Sequence, residues 1–425
     1  MRLLIEDARV WDGTGAAPFP GKVLVDGERI AAVAPQSQDV AADGAERIDA
    51  KGKFLMPGMV EGHSHLSFVD VARGTALGEL APEDHTLLAM DAARKLLAAG
   101  FTSACSAAAA KIRIDVAIRD AIEDGLIDGP RLLAAGPELT VTGGLGDGRK
   151  LHLPLESFGV PVDGPDEMLR MVRLCLREGV DTIKLNISGD FGTDSAPADA
   201  AVMTDGEIAV AVEATHVIGR RVAAHARASE SVKRAVRHGV DVIYHCDFAD
   251  EEALDMLESV KDKVFVGPAF GLVHNSVFEG DRVGMTRDVV EKMHLPRKFE
   301  ATCRTYHEMR KRGMRVVIGG DYGFQITPMG QNARDIGHFV KFFGYSPAEA
   351  LRCATSVGGA LMGHAGELGV VKPGALADLL LVEGNPLVDP SVLVGPKRLA
   401  MIMKDGTMHR DPRDRLAGRR LRAAE

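Results

Sequence analysis

The feature that most constrains the fold of this 425-residue chain is a long middle section in which short apolar runs alternate with amphipathic stretches. Between residues 56 and 360, eight apolar runs have the length and composition of β-strands, and the segments between them have helical spacing. Strands that alternate with helices are typical of parallel α/β folds. The count predicts a (β/α)8 TIM barrel, with a doubly wound open sheet as the alternative. The predicted strands cover residues 59–63, 102–107, 131–135, 182–187, 221–225, 240–244, 264–266 and 315–318.

The two ends of the chain differ from the middle, because their short apolar segments are separated by turns rich in glycine and proline. Residues 1–55 include a hairpin pattern around Asp26-Gly27, and residues 366–410 contain comparable short strands. Strand-rich ends on both sides of one barrel indicate a single small β domain. We therefore predict a composite domain of residues 1–55 plus 366–410, a catalytic barrel of residues 56–365, and a basic C-terminal tail over 411–425.

Charge and composition argue against several classes of function. The net charge is −9, whereas proteins that bind the phosphates of nucleic acids present basic surfaces. We expect no membrane span, since the chain has no charge-free apolar run of about 18 residues. We also expect no secretory signal, since the N-terminus has no long apolar stretch and no small-residue cleavage site. The five cysteines are scattered and odd in number, which favours reduced thiols over a disulfide framework. These features predict a cytoplasmic protein that acts on a small molecule and binds neither nucleic acid nor membrane.

The strongest local signal is His63-Ser64-His65, which ends the first apolar run of the predicted barrel. Residues i and i+2 of a strand point to the same face, so the two imidazoles are expected to meet. They lie at the carboxyl edge of the strand, where the active sites of TIM barrels are found. On its own the pattern is common, and two surface histidines in a turn would also produce it.

Three further potential metal ligands end other strands of the predicted barrel. His225 ends the fifth run, His245 ends the sixth, and Asp321 follows the eighth. Because the carboxyl ends of all barrel strands meet at one edge, these side chains are expected to converge with His63 and His65. Imidazole and carboxylate are ligands of zinc, and also of Mn, Fe or Co. The sequence therefore predicts a site for one or two divalent metal ions, with zinc as the first choice.

This arrangement resembles the amidohydrolase superfamily. Its members have H-x-H after strand one, a lysine on strand four, histidines on strands five and six, and an aspartate on strand eight. The resemblance extends over nearly the whole chain. The chain is similar to the imidazolonepropionase- and prolidase-like branch of the superfamily at the segments Thr142-Gly143-Gly144, Ile183-Lys184, Val222-Ala223-Ala224-His225-Ala226 and Gly320-Asp321. It implies a metal-dependent hydrolase whose composite domain is a β-sandwich. We also expect a homo-oligomer.

Lys184 is a predicted metal ligand of a special kind. Its side chain would point into the barrel, where burial lowers the pKa of the ammonium and the neutral amine can add carbon dioxide. The resulting carbamate can bridge two cations about 3.5–4 Å apart. The alternative is a structural lysine that pairs with a carboxylate. In that case Asn186, two residues on, would offer a neutral oxygen to a single metal.

Several residues beside the predicted metal site depart from the dipeptidase pattern. Prolidase-like relatives typically have T-G-G-H-G after strand three, but Leu145 stands here at the histidine position. Phe248 follows His245, and Tyr322 and Phe324 follow Asp321, which indicates a pocket more apolar and aromatic than that of a dipeptidase. In this respect the chain is similar to phenylurea and molinate hydrolases, although loop drift without a change of substrate is the alternative.

The predicted reaction is hydrolysis of a C–N bond in an amide, urea or carbamate by a metal-activated hydroxide. Asp321 would move the proton of the water to the leaving nitrogen, and His245 or Tyr244 would help to stabilise the oxyanion. Neutral, hydrophobic substrates are expected to be preferred. The predicted substrate-binding residues are Leu145, Arg227, Tyr244 and Tyr322.

Other functions remain as alternatives. Arg227 could hold a substrate carboxylate, which would suit a prolidase-like dipeptidase, a carboxypeptidase or an N-acyl amino acid hydrolase; an ion pair within the protein is its other possible role. Hydrolysis of C–O or P–O esters would use the same water. A non-catalytic scaffold is disfavoured, because an inert barrel has no need for the complete set of ligands.

Overall fold

The structure, a computed structural model, describes residues 2–413, so the predicted tail lies outside the described residues except for 411–413. The strands are β1 (Arg2–Val10), β2 (Phe19–Asp26), β3 (Arg29–Pro35), β4 (Glu46–Asp49), β5 (Phe54–Pro57), β6 (Met59–Ser64), β7 (Phe101–Ser106), β8 (Arg131–Leu133), β9 (Ala135–Thr140), β10 (Gly159–Pro161), β11 (Thr182–Asn186), β12 (Arg221–Ala226), β13 (Val242–His245), β14 (Phe265–Gly267), β15 (Leu379–Val382), β16 (Leu399–Lys404) and β17 (Thr407–Arg410).

The helices lie between the strands of the middle section and after them. They are α1 (Ala76–Glu79), α2 (Pro82–Ala98), α3 (Ile114–Glu123), α4 (Pro165–Arg177), α5 (Asp205–His216), α6 (Ser229–Arg237), α7 (Glu251–Ser259), α8 (Phe270–Phe278), α9 (Arg287–Lys292), α10 (Leu295–Lys311), α11 (Arg334–Phe343), α12 (Pro347–Cys353) and α13 (Ser356–Leu361). Over the described part of the chain, none of them combines the length and the apolar character that crossing a membrane requires.

Strands from both ends of the chain form one eight-stranded sheet. Its order is β17-β16-β15-β5-β1-β2-β3, and β4 pairs with β1. β1 runs antiparallel to β2 and parallel to β5, and β5 runs antiparallel to β15. The sheet thus joins the two ends of the chain beside the barrel, while the exact domain boundaries stay a prediction.

The two faces of this sheet have different partners, because side chains alternate along each strand. From one face, Phe54, Met56, Leu380, Val382 and Ile402 join the main core, which also contains residues of the barrel and its helices. The other face has a core of its own, to which the strands contribute Leu3, Ile5, Val23, Val25, Leu55, Leu379, Leu381, Met401 and Met403. The sheet is therefore attached to the barrel through buried apolar side chains.

An ion-pair cluster crosses the same interface. Arg131 of β8 lies with Nη1 3.0 Å from Oδ2 of Asp378 and also contacts Asp405. Asp378 is buried and accepts a further hydrogen bond of 2.9 Å from the backbone N–H of Asp405. Removal of one partner of a buried pair typically costs about 3–5 kcal/mol. This contact therefore adds a specific polar constraint to the apolar interface.

The barrel is a ring of parallel strands. β6, β7 and β8 form one sheet, and β9, β11, β12, β13 and β14 follow one another in a second sheet that β10 extends at its edge. Residues 315–318 close the ring, since Val316 bridges Val266 of β14 and Gly62 of β6 donates a hydrogen bond of 2.9 Å to Ile318 O. The fold class predicted from the sequence, a TIM barrel with a small β domain, is confirmed.

Two predicted strands differ from the observed ones. The third run does not end at residue 135; it is interrupted at Ala134, whose N–H donates to Asp181 Oδ2 at 2.9 Å, and continues as β9 to Thr140. The eighth run, residues 315–318, makes bridging hydrogen bonds without forming a regular strand.

Candidate metal centre

Three of the predicted ligands meet at the carboxyl edge of the barrel. Nε2 of His63 lies 3.1 Å from Nε2 of His65, and Oδ1 of Asp321 lies 3.4 Å and 3.0 Å from these two nitrogens. All three residues are buried, and their ligand atoms lie within 4.8 Å of one another. The convergence predicted for the first and eighth strands is therefore present in the structure.

A glycine allows the eighth run to come so close to β6. A Cβ on Gly319 would lie 2.5 Å from Cβ of His63 and 2.7 Å from the backbone nitrogen of His63. Both distances are shorter than Cβ contacts in proteins, so any residue other than glycine would force the two segments apart. Asp321 then has φ +62°, a left-handed conformation that residues other than glycine rarely adopt. The backbone thus holds an unfavourable conformation where it directs this carboxylate toward the two imidazoles.

The protonation states of these groups suit metal binding. Burial, above all other effects, lowers the pKa of His63 to about 3, so its imidazole is neutral. Burial alone would raise the pKa of Asp321, but the contacts with His63 and His65 hold the pKa of this carboxyl well below its usual range. Neutral imidazole and ionised carboxylate are the forms that bind a metal.

The lone pairs of these three residues are directed so that they could bind one divalent cation. Nδ1 of His65 faces Ala108 O at 3.1 Å and carries the ring proton in that contact, which leaves a lone pair on Nε2. The ring is held further by Phe68, stacked at 4.1 Å between ring centroids. Electron-rich atoms of His63, His65 and Asp321 thus face one another in a buried space, where a cation would relieve their repulsion.

His225 and His245 lie at the same edge, on β12 and β13. Their ring centroids are 4.2 Å apart, and the His245 ring is 5.5 Å from that of His63. Nδ1 of His245 is buried and has no hydrogen-bond partner within residues 2–413. Nε2 of His225, in contrast, lies 3.0 Å from Gly189 O. The structure therefore brings both histidines beside the three-residue cluster, with His245 in a left-handed conformation of φ +76°.

Lys184 lies inside the barrel next to a carboxylate that the sequence analysis did not single out. The register of β11 and β9 places Lys184 opposite Glu138, with Nζ 3.8 Å from Oε1. Nζ also lies 5.1 Å from the ring centroid of Tyr244. Burial lowers the pKa of Lys184, and Glu138 partly offsets this effect. The neutral amine that carboxylation requires is thus favoured by burial and opposed by this ion pair.

Asn186, the alternative ligand, has one free acceptor. Its Nδ2 donates to Glu138 Oε2 at 2.7 Å and to Leu145 O at 3.1 Å. Its Oδ1 is buried and has no hydrogen-bond partner in the described part of the chain. A buried amide oxygen that accepts no hydrogen bond can serve as a ligand for a cation.

Arg227 is buried and is engaged by two carboxylates of the protein. Its Nε lies 2.8 Å from Asp190 Oδ1, and its Nη1 lies 2.5 Å from Asp247 Oδ2. Thr302 donates a further hydrogen bond of 2.7 Å to Asp247 Oδ1. The structure therefore favours the ion-pair role that the sequence left open for Arg227.

The other predicted substrate-binding residues have different surroundings. Tyr244 is buried, its ring lies 4.1 Å from that of His63, and its hydroxyl donates to Gly62 O at 2.6 Å. The hydroxyl of Tyr322 is also buried and donates to Asp335 Oδ1 at 3.3 Å. Leu145 lies half-buried in the loop after β9. The two tyrosine hydroxyls are thus occupied by contacts within the protein.

An apolar cavity of about 260 Å³ lies beside the centre. Phe324 lines it, and the ring centroid of Phe324 is 6.5 Å from that of His65. The remainder of its wall includes Val71, Leu272, Met285, Met293, Ile326 and Lys298. Of the aromatic residues predicted to form the pocket, Phe324 is therefore placed in this cavity.

Sequence reasoning missed Glu138, Asp190 and Lys298. Glu138 lies three residues beyond the predicted end of the third strand at residue 135, and Pro137 within the segment is a residue that disfavours a central strand. Asp190 lies in the loop after β11, four residues beyond Asn186. Because loops at the carboxyl edge form the active sites of TIM barrels, its position after the fourth strand was a signal that could have identified it. Lys298 lies on α10 and has no local signal.

Comparison with known proteins gives consistent matches. A model described as Amidohydrolase family matches residues 54–408. An ochratoxinase of Aspergillus niger is 27% identical over 314 residues, which are 69% of this chain and 63% of that protein, so the chain spans less than two thirds of this relative. A prolidase solved with N-methylphosphonate-L-proline is 26% identical, with a TM-score of 0.87 over 97% of this chain and 100% of that one. Molinate hydrolase, 18% identical with a TM-score of 0.77 over 96% of this chain and 94% of that one, is alike in fold.

Proposed function

Because the chain belongs to the amidohydrolase family, whose model matches residues 54–408, we propose that it is a metal-dependent hydrolase of a C–N bond in a largely hydrophobic small molecule. The bond is that of an amide, a urea or a carbamate. The observation that carries the proposal is the buried convergence of His63, His65 and Asp321 beside an apolar cavity. The superfamily predicted from the sequence motifs is confirmed by the family match.

The proposed ligands for one or two divalent ions are His63, His65, His225, His245 and Asp321. Zinc is the first choice, with Mn, Fe or Co as alternatives that accept the same ligands. When bound, such a metal supplies a water whose pKa is lowered to about 7 and polarises the bond to be cleaved. Burial lowers the pKa values of His63, His225 and His245, which favours the neutral imidazoles that bind a metal. The pKa of Asp321 is also lowered, by its contacts with the two histidines beside it, which favours the charged carboxylate.

Asp321 is the proposed proton carrier. Its carboxylate accepts the proton of the attacking water and delivers it to the leaving nitrogen. His245 is preferred over Tyr244 for the oxyanion, because the hydroxyl of Tyr244 already donates to Gly62 O at 2.6 Å. The loss of one such donor typically costs about 3–4 kcal/mol.

We propose further that Lys184 is carboxylated and bridges two metal ions. The amine adds carbon dioxide and loses one proton, which gives a carbamate anion. Support comes from the burial of Lys184 and from the lowered pKa of its amine. The competing role is a permanent ion pair with Glu138, 3.8 Å away, and a single metal that takes Oδ1 of Asn186.

Lys184→Ala is expected to be inactive and to recover part of its activity in short carboxylic acids, because these anions can occupy the position of the carbamate. Activity against acetate or propionate concentration measures the effect. Lys233→Ala, which removes a lysine on the outside of the barrel, is the control and should neither lose activity nor respond to the acids. Inactive Lys184→Ala without rescue, together with one metal per chain, would assign the site to Asn186.

The apolar cavity supports a hydrophobic substrate. Burial of apolar area contributes about 25 cal/mol per Å², so an aryl or alkyl group in this cavity gains affinity that a small polar dipeptide does not. A prolidase-like dipeptidase is the second candidate. Its support is the likeness to the prolidase structure, which covers 97% of this chain.

A substrate screen tests the proposed function directly. The purified protein is expected to hydrolyse aryl or alkyl amides, ureas or carbamates with kcat/KM at least tenfold above that for Xaa-Pro dipeptides such as glycyl-proline. The screen is repeated after treatment with a chelator and after readdition of Zn²⁺ or Mn²⁺. A dipeptide that exceeds every apolar compound would transfer the assignment to the prolidase-like candidate.

Cytoplasmic location and assembly as a homo-oligomer stay predictions. The five cysteines are free in the structure, which is compatible with a reducing compartment. Light scattering of the purified protein measures the oligomeric state.

A further inference from the structure

Asp321 belongs to a tight turn whose backbone conformation is unfavourable and must be held by its neighbours. Its φ of +62° lies in the left-handed region, where residues other than glycine stay only when their surroundings enforce it. Two hydrogen bonds hold the main chain here. Leu272 N donates to Gly320 O at 2.8 Å, and the hydroxyl of Thr327 donates to Asp321 O at 2.8 Å. The direction of the Asp321 carboxylate therefore depends on the contacts of the whole turn.

Tyr322, the next residue of the turn, has contacts on two sides. Its backbone forms a parallel bridge with Ser64, which stands between His63 and His65 in the chain. Its side chain is completely buried, and its hydroxyl donates to Asp335 Oδ1 of α11. The distance of 3.3 Å is long for a hydroxyl donor, but a buried hydroxyl needs an acceptor. Tyr322 thus connects the histidine segment of the metal centre to α11.

Asp335 also packs directly against the backbone of the turn. A Cβ on Gly320 would lie 2.5 Å from Asp335 Oδ2 and still closer to the ring of Tyr322, so only glycine lets the turn approach this carboxylate. A Cβ on Gly271, near the start of α8, would lie 3.0 Å from Asp335 Oδ1. Two glycines therefore leave the space that one buried carboxylate occupies between α8 and the turn.

The orientation of the Asp335 carboxylate is fixed from its own helix. Its Oδ1 accepts a second hydrogen bond, of 2.9 Å, from Nδ1 of His338, which lies one turn further along α11. Its Oδ2 has no hydrogen-bond partner within residues 2–413. Glu61, another buried carboxyl of this region, accepts from Asn332 Nδ2 at 2.8 Å and takes neither of the two donors of Asp335. Oδ1 is therefore the atom through which Asp335 acts on Tyr322.

We propose that Asp335 is a positioning residue for Asp321. It accepts from the hydroxyl of Tyr322 and fills the space beside Gly320, and both contacts stabilise the turn that directs the Asp321 carboxylate toward the two histidines of the centre. Asp335 acts through the main chain of the turn. The inference rests on the proposed function, because Asp321 is the proposed metal ligand and proton carrier. It replaces the substrate-binding role that the sequence predicted for Tyr322.

Tyr322→Phe tests the proposal directly, because it removes one hydroxyl and keeps the buried ring. Loss of this contact is expected to lower kcat by about 10- to 100-fold, the usual effect of removing a group that orients a metal ligand. The Co²⁺-loaded enzyme should also release its metal at a lower chelator concentration, and its visible absorption, which reports the geometry of the ligands, should change. A substrate-binding role for Tyr322 predicts instead a higher KM, with kcat and metal retention unchanged.

Variants at Asp335 test the other partner of the contact. Asp335→Leu removes both oxygens and should lose at least as much kcat and metal retention as Tyr322→Phe. Asp335→Asn keeps the accepting Oδ1 and changes only Oδ2, which has no partner, so it is expected to recover most of what Asp335→Leu loses. A double variant that combines Tyr322→Phe with Asp335→Leu should be no worse than Asp335→Leu alone, because both substitutions break the same contact.

Tyr345→Phe is the matched control, since Tyr345 is also buried but lies between α11 and α12, where its ring packs 5.2 Å from that of Phe339. It should keep wild-type kinetics and metal retention, and thermal unfolding checks that each variant is folded. Unchanged kcat and metal retention in folded Tyr322→Phe, additive losses in the double variant, or equal losses in Tyr345→Phe overturn the proposal. Tyr322→Phe decides the question even where Asp335→Leu does not fold. If wild type hydrolyses none of the amides, ureas and carbamates of the screen while Tyr322→Phe releases Co²⁺ more readily, the proposed reaction fails and the positioning role stands.

Discussion

Asp321→Asn is expected to keep the fold and part of the bound metal while turnover falls by about 10²- to 10⁴-fold. The amide cannot accept the proton of the attacking water, although its oxygen can still face His63 and His65, at the 3.4 Å and 3.0 Å of the native contacts. Asparagine also tolerates the left-handed conformation of this position, with φ +62°. Steady-state kinetics and metal analysis of the same sample measure both quantities.

Asp70→Asn is the matched control for this variant. Asp70 also has a left-handed conformation, φ +56°, and accepts a hydrogen bond of 2.9 Å from the backbone N–H of Met329. The same substitution there should leave kcat within a few-fold of wild type. Turnover retained in Asp321→Asn would move the role of proton acceptor to another group, with His245 as the next candidate.

His63→Ala and His225→Ala are each expected to lose bound metal and to reduce activity to background. Each substitution removes one imidazole from the proposed ligand set, and metal affinity depends on every ligand. Chelation of the wild-type protein should have the same effect and should be reversed by added metal. Metal content per chain, measured by elemental analysis, is compared with kcat/KM for each protein.

His216→Ala serves as the control for the histidine variants. His216 lies on α5, on the outside of the barrel, and its Nε2 pairs with Asp241 at 2.8 Å. It should keep both metal and activity. Full activity in a metal-free wild-type sample would contradict the mechanism as a whole. A His225→Ala protein that retains its metal would show that Nε2 of His225 serves the contact with Gly189 O instead.

The sequence was most informative where chemistry depends on strand ends. His63 and His65 follow a two-residue period, and Asp321 ends an apolar run, so all three could be assigned to the same edge of the barrel from the sequence alone. Their distances depend on features without a sequence pattern, such as the close approach that Gly319 permits. The position of the site was therefore predictable, but its geometry was not.

Contacts between distant segments could not be predicted. The face of Lys184 followed from alternation, but its partner Glu138 depends on the continuation of β9 past Ala134 and Pro137. Arg227 comes two residues after His225, yet its two carboxylates lie 37 and 20 residues away in sequence. Lys298 approaches the cavity because α10 packs there, and no periodicity in its helix encodes that contact.

Because both ends of the chain contribute to one sheet, this sheet cannot be completed until nearly the whole chain has been synthesised. Phe54 of β5 pairs with Val382 of β15, which the ribosome adds 328 residues later. At about 5–20 residues per second, this interval lasts roughly 15 to 65 s. During that time the apolar side chains of β5 and one of its edges have no permanent cover, and such edges promote aggregation. The edge of β5 that pairs with β15 is therefore a site at which nascent chains can aggregate until residues 379–382 have been made.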